Sequence, residues 1–283
     1  KKYRIKVLKK ENNKKFKFFK YDLKNNVLLN KIFNKDKIQV VIHLAGQAGV
    51  RYSFINPRSY LDNNLISFFN IIEASRKNKV KHFLFASTSS VYGDAKRFPV
   101  KENDSTDSPL SFYAATKKSN EVMAHSYSNM FKLKCTALRF FTVYGPLGRP
   151  DMALFKFTKA LLEGRKISLF NHGNHIRDFT YIDDIVNGIE KLIFKPSKNK
   201  IPYQIFNIGS NSPQKLKKFL SLIERETSKK SIIKNEKFQL GDVLKTHASI
   251  KNLDKKIRYS PKFNIEQGIK KFIEWYKEYY KNW

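Results

Sequence analysis

Apolar and polar positions along the chain fall into two alternating regimes. Four short, nearly continuous apolar runs, Ile38 to Leu44 (IQVVIHL), Val80 to Ala86 (VKHFLFA), Lys134 to Phe141 (KCTALRFF) and Tyr203 to Ile208 (YQIFNI), predict strands buried on both faces. The stretches between them carry apolar residues at helical spacing. They predict helices over Pro57 to Lys77, from Tyr113 onward, over roughly 153–163, after Ser212-Pro213, and over Ile265 to Tyr280. Arg177 to Asp184 starts another helix, with Asp183 and Asp184 favourable in its first turn. Lys1 to Asn13 is polar and reads as a helix end, Phe16 to Tyr21 predicts a further short strand, and Asn171 to Asn174 a turn. Strands alternating with helices specify an α/β, doubly wound parallel sheet covered on both faces.

Composition narrows this picture without changing it. A chain of 283 residues with 41% hydrophobic content is long enough for one large core plus a smaller lobe. No apolar run reaches the roughly 20 residues a membrane helix needs, and Lys1 to Lys10 holds no signal-peptide stretch, so cytoplasmic placement is the expectation. The single Cys135 lies inside a strand-like run and reads as a small buried hydrophobe. His43, His172 and His175 show no metal-ligand spacing, so no metal is expected. A formal net charge of +32 raises nucleic-acid binding as one reading. The lysines, however, run from Lys1 to Lys281 with no nucleic-acid motif beside them, which favours a general bias toward lysine at solvated positions. Such a field would still draw in an anionic small molecule.

Candidate chemistry concentrates between Ser87 and Lys117. The hydroxyl run Ser87-Thr88-Ser89-Ser90 falls where the Val80 strand hands over to a loop, the edge at which open α/β sheets bind ligands. Tyr113 and Lys117 stand one helical turn apart, with phenol and ammonium on one face. A cation there would lower the phenol's pKa and make Tyr113 a base near neutral pH. Small residues at Ala45-Gly46-Gln47-Ala48-Gly49 follow the Ile38 strand and let a backbone come close to a ligand.

A strand-end Ser/Thr followed by Tyr-x-x-x-Lys resembles the short-chain dehydrogenase/reductase superfamily. HLAGQAGVRYS, FASTSSVYG, FYAATKKSNE, RFFTVYGPLGRPDMALFKF, NHGNHIRDFTYIDDI and GDVLKTHA, collinear over essentially the whole chain, resemble more narrowly the NAD-dependent epimerase/dehydratases, and among these UDP-glucuronate 4-epimerases. Leu147 departs from the pattern, standing where relatives commonly carry Trp. The resemblance implies a Rossmann-like fold at 1–142 and about 179–209, with a smaller nucleotide-sugar lobe at about 143–178 and 210–283. The usual opening strand, Gly-rich turn, helix and second strand do not appear, and Phe16 onward resembles a third strand. The chain therefore reads as an N-terminally incomplete Rossmann domain.

On matching positions the resemblance implies Tyr113 as base, Lys117 as its partner and a nicotinamide-ribose contact, and Thr88 or Ser90 as the hydroxyl that bonds the sugar 4-oxygen. It implies NAD contacts at Asp22, Leu23, Leu44, Ala45, Gly46, Gln47 and Asn64 as well as Tyr113 and Lys117. Sugar-nucleotide contacts are implied at Thr88, Thr142, Arg149, Arg177 and Asp242, with Arg149 holding the sugar carboxylate and Arg177 the diphosphate. The expected activity is 4-epimerisation of UDP-glucuronate through a 4-keto sugar by a homodimer paired through helices. A UDP-glucose or UDP-N-acetylhexosamine 4-epimerase is the alternative within the class. A truncated, non-catalytic nucleotide-sugar or nucleic-acid binder is the alternative outside it.

Overall fold

The computed structural model describes residues 2–11 and 15–280. In chain order the elements are α1 (Lys2–Glu11), α2 (Asn26–Lys35), β1 (Val40–His43), α3 (Tyr52–Ile55), α4 (Pro57–Tyr60), a π-helical turn (Leu61–Ile66), α5 (Ser67–Lys77) and β2 (His82–Thr88). A 3₁₀ turn (Ser89–Tyr92) leads toward α6 (Phe112–Phe131), β3 (Cys135–Phe140), β4 (Thr142–Tyr144), α7 (Ala153–Leu162), β5 (Lys166–Phe170), β6 (Ile176–Arg177), β7 (Phe179–Tyr181) and α8 (Ile182–Ile193). The chain continues through β8 (Tyr203–Ile208), β9 (Gln214–Lys215), α9 (Leu216–Thr227), β10 (Ile232–Glu236), α10 (Lys251–Ile257) and α11 (Ile265–Tyr279).

The four expected apolar runs form one sheet in the order β1-β2-β3-β8, parallel throughout. Successive strand residues point to opposite faces, and the burial follows. Phe83, Phe85 and Ala137 pack with Leu29 and Phe33 of α2, with Phe68 and Ile72 of α5 and with Ala124 of α6. Leu84 and Leu138 meet Ile185, Ile189 and Leu192 of α8 and Leu253 and Ile257 of α10 on the other face. Helices on both faces of a parallel sheet make the doubly wound fold that the apolar runs predict. A separate core gathers α7, α9 and α11 around β4, β5 and β7, with Phe155, Phe179, Phe219, Phe272 and Tyr276 at its centre.

Local sequence explains where these helices begin. Ser111 accepts from the Ala114 N–H at 3.2 Å and starts α6 one residue before Phe112. Asn264 and Gln267 form a reciprocal capping box for α11. Asn56 caps α4, with Pro57 at the first helical position. Gly93, at φ +58°, ends the 3₁₀ turn after the hydroxyl run, and a Cβ there would lie 2.4 Å from the Ser108 carbonyl oxygen. Gly93→Ala is therefore expected to cost about 1–3 kcal/mol through a strained backbone and a clash that no rotamer relieves. Chemical denaturation measures this, and an unchanged midpoint would contradict it.

Four expectations are corrected. Phe16 to Tyr21 makes no strand: among the described residues it pairs with no other strand, and the open edge of β1 is left unjoined. The helix over Pro57 to Lys77 is not one α-helix. It widens into a π turn at Leu61–Ile66, which carries the buried Asn64. The segment before α8 holds two short strands, β6 and β7, before the helix starts at Ile182. The polar start is helical over Lys2–Glu11, while Lys1 and 12–14 lie outside the described residues. β5 and β10 pair in parallel at the margin of the second core; Lys166 to Leu169 alternates polar and apolar, with Ile167 and Leu169 buried, whereas β10 carries no such alternation.

Candidate active site

At the C-terminal edge of the sheet, the loop after β1, the end of β2 and the first turns of α6 converge. Asn64 is 1% exposed, and its Oδ1 accepts from the Gln47 backbone N–H at 2.7 Å while its amide donates to the Gln47 carbonyl and to Thr116 Oγ1, each at 3.0 Å. One π-turn asparagine thereby ties the Ala45–Gly49 loop to the helix of Tyr113. Gly46, at φ +153°, permits that closeness: a Cβ there would lie 2.8 Å from Asn64 Oδ1 and 3.9 Å from Lys117 Nζ. Tyr60, fully buried on α4, donates to the Gly49 carbonyl at 2.5 Å, and its ring lies 6.0 Å from the half-buried Tyr113 ring, edge to face.

The electrostatics differ from the expectation that Lys117 acidifies Tyr113. Burial, the largest influence, raises the Tyr113 phenol above its ordinary value, whereas a hydrogen bond with Thr88 and the charge of Arg149 pull it down. Lys117, 5% exposed, is itself pushed down to about 8 by burial, with Glu121 opposing the shift. Loss of water outweighs attraction for both members of the pair. His43, at the end of β1, is lowered to about 3 by burial first and by Lys117 second, so it is neutral at pH 7. Of the two candidate hydroxyls, Thr88 is bonded to Tyr113. Ser90 stands behind it, with its Oγ 3.2 Å from Thr88 Oγ1 and its backbone N–H donating to that oxygen at 3.2 Å.

The remaining sequence-derived positions lie around this centre. Thr142, Ser90, Arg177 and Asp242 line one open cleft of about 790 Å³ empty volume, bounded also by Val50, Phe141 and Lys245. Within it the Arg177 guanidinium donates to Asp242 Oδ1 at 2.6 Å. Arg149 reaches across from the loop after β4, its Nη2 3.4 Å from the Ala48 carbonyl, while pairing with Asp151. Asp22 and Leu23 lie in the turn before α2, held by Asn70, whose amide donates to the Leu23 carbonyl at 2.9 Å. Leu44 is 55% exposed just beyond β1. Cys135 is fully buried and its thiol is pushed up to about 12 by burial, so it is inert.

Residues absent from the sequence-derived set also meet here. Arg51 approaches Asp242 with Nη2 3.8 Å from Oδ2, an oxygen that His175 Nε2 also faces at 3.5 Å, and lies over the Phe170 ring at 4.9 Å. Glu121 and Arg139 form a buried ion pair, Nη2 to Oε2 2.7 Å, at 3% and 2% exposure. An arginine within the apolar run KCTALRFF and an acid one turn after Lys117 were the signals that could have found that pair. Arg51 carried no periodic signal.

A family model described as the NAD dependent epimerase/dehydratase family matches residues 1–209. The chain belongs to that family. Over 292 residues it is 48% identical to Protein CapI of Staphylococcus aureus, covering 98% of this chain and 86% of that protein. It is 40% identical over 274 residues to a probable UDP-glucuronate 4-epimerase of Rhizobium meliloti, covering 92% and 80%. Its fold matches the crystal structure of a Bacillus cereus UDP-glucuronic acid 4-epimerase in complex with UDP-glucuronic acid and NAD, with TM-score 0.90, 34% identity, and coverage of 98% of this chain and 86% of that one. The sequence-derived family, fold class and cofactor NAD all stand on these similarities.

The described residues fit the cofactor. Lys117 presents a buried ammonium beside Gly46 with no ion pair of its own, and His43 Nε2 and both amide atoms of Asn120 are buried without partners. Polar atoms left unpaired in a folded chain are costly unless something else bonds them. A ribose-bearing ligand offers such partners next to a loop whose glycine already brings the backbone close.

Proposed function

We propose that this protein interconverts UDP-glucuronate and UDP-galacturonate by epimerisation at C4. The observation that carries the reading is the meeting of Thr88, Tyr113 and Arg149 around one phenol, beside a cleft that holds Arg177. Tyr113 takes the C4 hydroxyl proton, and Thr88, already bonded to the phenol, stabilises the oxygen that this leaves. Asp22, Leu23, Leu44 to Gln47, Asn64 and Lys117 would hold NAD, which would supply the two-electron acceptor and donor at C4. Tyr113 returns the proton after the 4-keto sugar has presented its other face. Arg177 suits the diphosphate because its planar fork matches two phosphate oxygens.

The carboxylate of a glucuronate is β to the C4 ketone, so carbon dioxide is lost when the breaking bond aligns with the carbonyl π system. Arg149 lies close enough for its charge to act on Tyr113. From there its fork can hold both carboxylate oxygens and keep that bond out of alignment. Cytoplasmic placement and a homodimer belong to the same proposal. Exposed Ile66, Phe69 and Val122 on the π turn, α5 and α6 support pairing through helices.

Incubation with UDP-glucuronate, followed by NMR of the products, tests the reading. UDP-galacturonate is expected to form without net change in NAD redox state. Conversion of UDP-glucose or a UDP-N-acetylhexosamine at equal or greater efficiency would instead favour a neutral-sugar epimerase.

A further inference from the structure

One polar row crosses the sheet immediately beneath the reacting edge. Ser87 of β2, Arg139 of β3 and Asn207 of β8 are register partners in adjacent parallel strands. Glu121, one turn beyond Lys117 on α6, closes the row from above. It accepts from Ser87 Oγ at 2.5 Å and from Arg139 Nε and Nη2 at 2.9 and 2.7 Å. Arg139 Nη1 donates to the Tyr92 hydroxyl at 2.9 Å, and that hydroxyl donates to Asn207 Oδ1 at 2.6 Å. Tyr92 ends the 3₁₀ turn that carries Ser90, and Ser87 directly precedes Thr88. One carboxylate thus ties together the helix of Tyr113 and Lys117, the strand end of Thr88 and, through Arg139 and Tyr92, the turn of Ser90.

Stability alone does not account for such a pair, because well-packed apolar residues commonly serve a core as well as a buried ion pair does. What a charged, bidentate pair adds is a fixed distance and direction between elements. We propose that Glu121, held by Arg139, is a positioning residue that sets the Tyr113 phenol against the Thr88 hydroxyl. It touches neither sugar nor cofactor and acts through Ser87 and the α6 backbone. The proposal rests on the reading of Tyr113 as the reacting group.

The test follows the Tyr113 phenol itself, by ¹³C NMR of ring-labelled protein over a pH series, with the signal assigned by its loss in Tyr113→Phe. Arg149 and Tyr60 of α4 are the charged and titratable groups that act on this phenol, and Ser87→Ala alters neither of them. Ser87→Ala removes only the tie between Glu121 and the strand end. With the Thr88 hydrogen bond weakened, the Tyr113 midpoint is expected to rise by about half a unit or more in a protein that remains folded at the temperature of the measurement. Glu121→Gln is expected to move it at least as far, and to lower kcat about tenfold while KM for UDP-glucuronate changes little. A folded Ser87→Ala protein whose Tyr113 signal and midpoint match the wild type overturns the proposal, whatever the fate of Glu121→Gln. A Tyr113 signal that moves in a wild-type background inactive on UDP-glucuronate would refute the substrate reading and uphold the positioning role.

Discussion

Tyr113→Phe is expected to slow C4 epimerisation by about 10²–10⁴-fold, roughly 3–5 kcal/mol of barrier, with KM little changed. The substitution removes one oxygen from a half-buried ring that packs edge to face on Tyr60, so the fold has no reason to respond. The loss is expected to be this large because the site offers no ready substitute. His43 is buried and held far below its ordinary range, and Thr88 and Ser90 are hydroxyls that bond each other rather than a second base. Steady-state kinetics with UDP-glucuronate measures the effect. A variant that keeps the wild-type kcat would remove Tyr113 from the reaction.

Arg139→Met is expected to destabilise the chain by roughly 3–5 kcal/mol, because it leaves the Glu121 carboxylate buried without its bidentate partner. Methionine fills most of the vacated length, so the cost is electrostatic rather than a cavity. Ser87 alone cannot satisfy two carboxylate oxygens. Adding Glu121→Leu to Arg139→Met should recover much of the stability, since both charges are then gone and two apolar side chains remain. Urea denaturation of the single and double variants decides the matter. A single variant as stable as wild type would mean that water reaches Glu121 and the pair is not sealed.

Those expectations bear unequally on sequence and structure. Phe83, Leu84 and Phe85 announced a strand with two buried faces, because a strand's alternation is a local property and each face needs apolar cover. Tyr113 and Lys117 were equally legible, since one helical turn places them together wherever the helix lies. Arg149 and Arg177 were legible only through resemblance. Their spacing in the chain says nothing of Ala48 or Asp242, which they reach across 101 and 65 residues. Phe16 to Tyr21 looked like a strand because its composition suits one, but a strand exists only where a neighbour completes its hydrogen bonds.

By itself the amino-acid sequence determined the layered α/β architecture, the local capping that starts helices near Tyr113 and Ile265, and the placing of Tyr113 and Lys117 on one helical face. Apolar period, capping side chains and short motifs all act over a few residues. Only the tertiary structure decided that burial outweighs Thr88 and Arg149 in setting the Tyr113 phenol, and that Glu121 meets Ser87 and Arg139 beneath it. Desolvation depends on every element that excludes water from a group, and a buried ion pair depends on three elements arriving at one point. Neither quantity is carried by any single stretch of the chain.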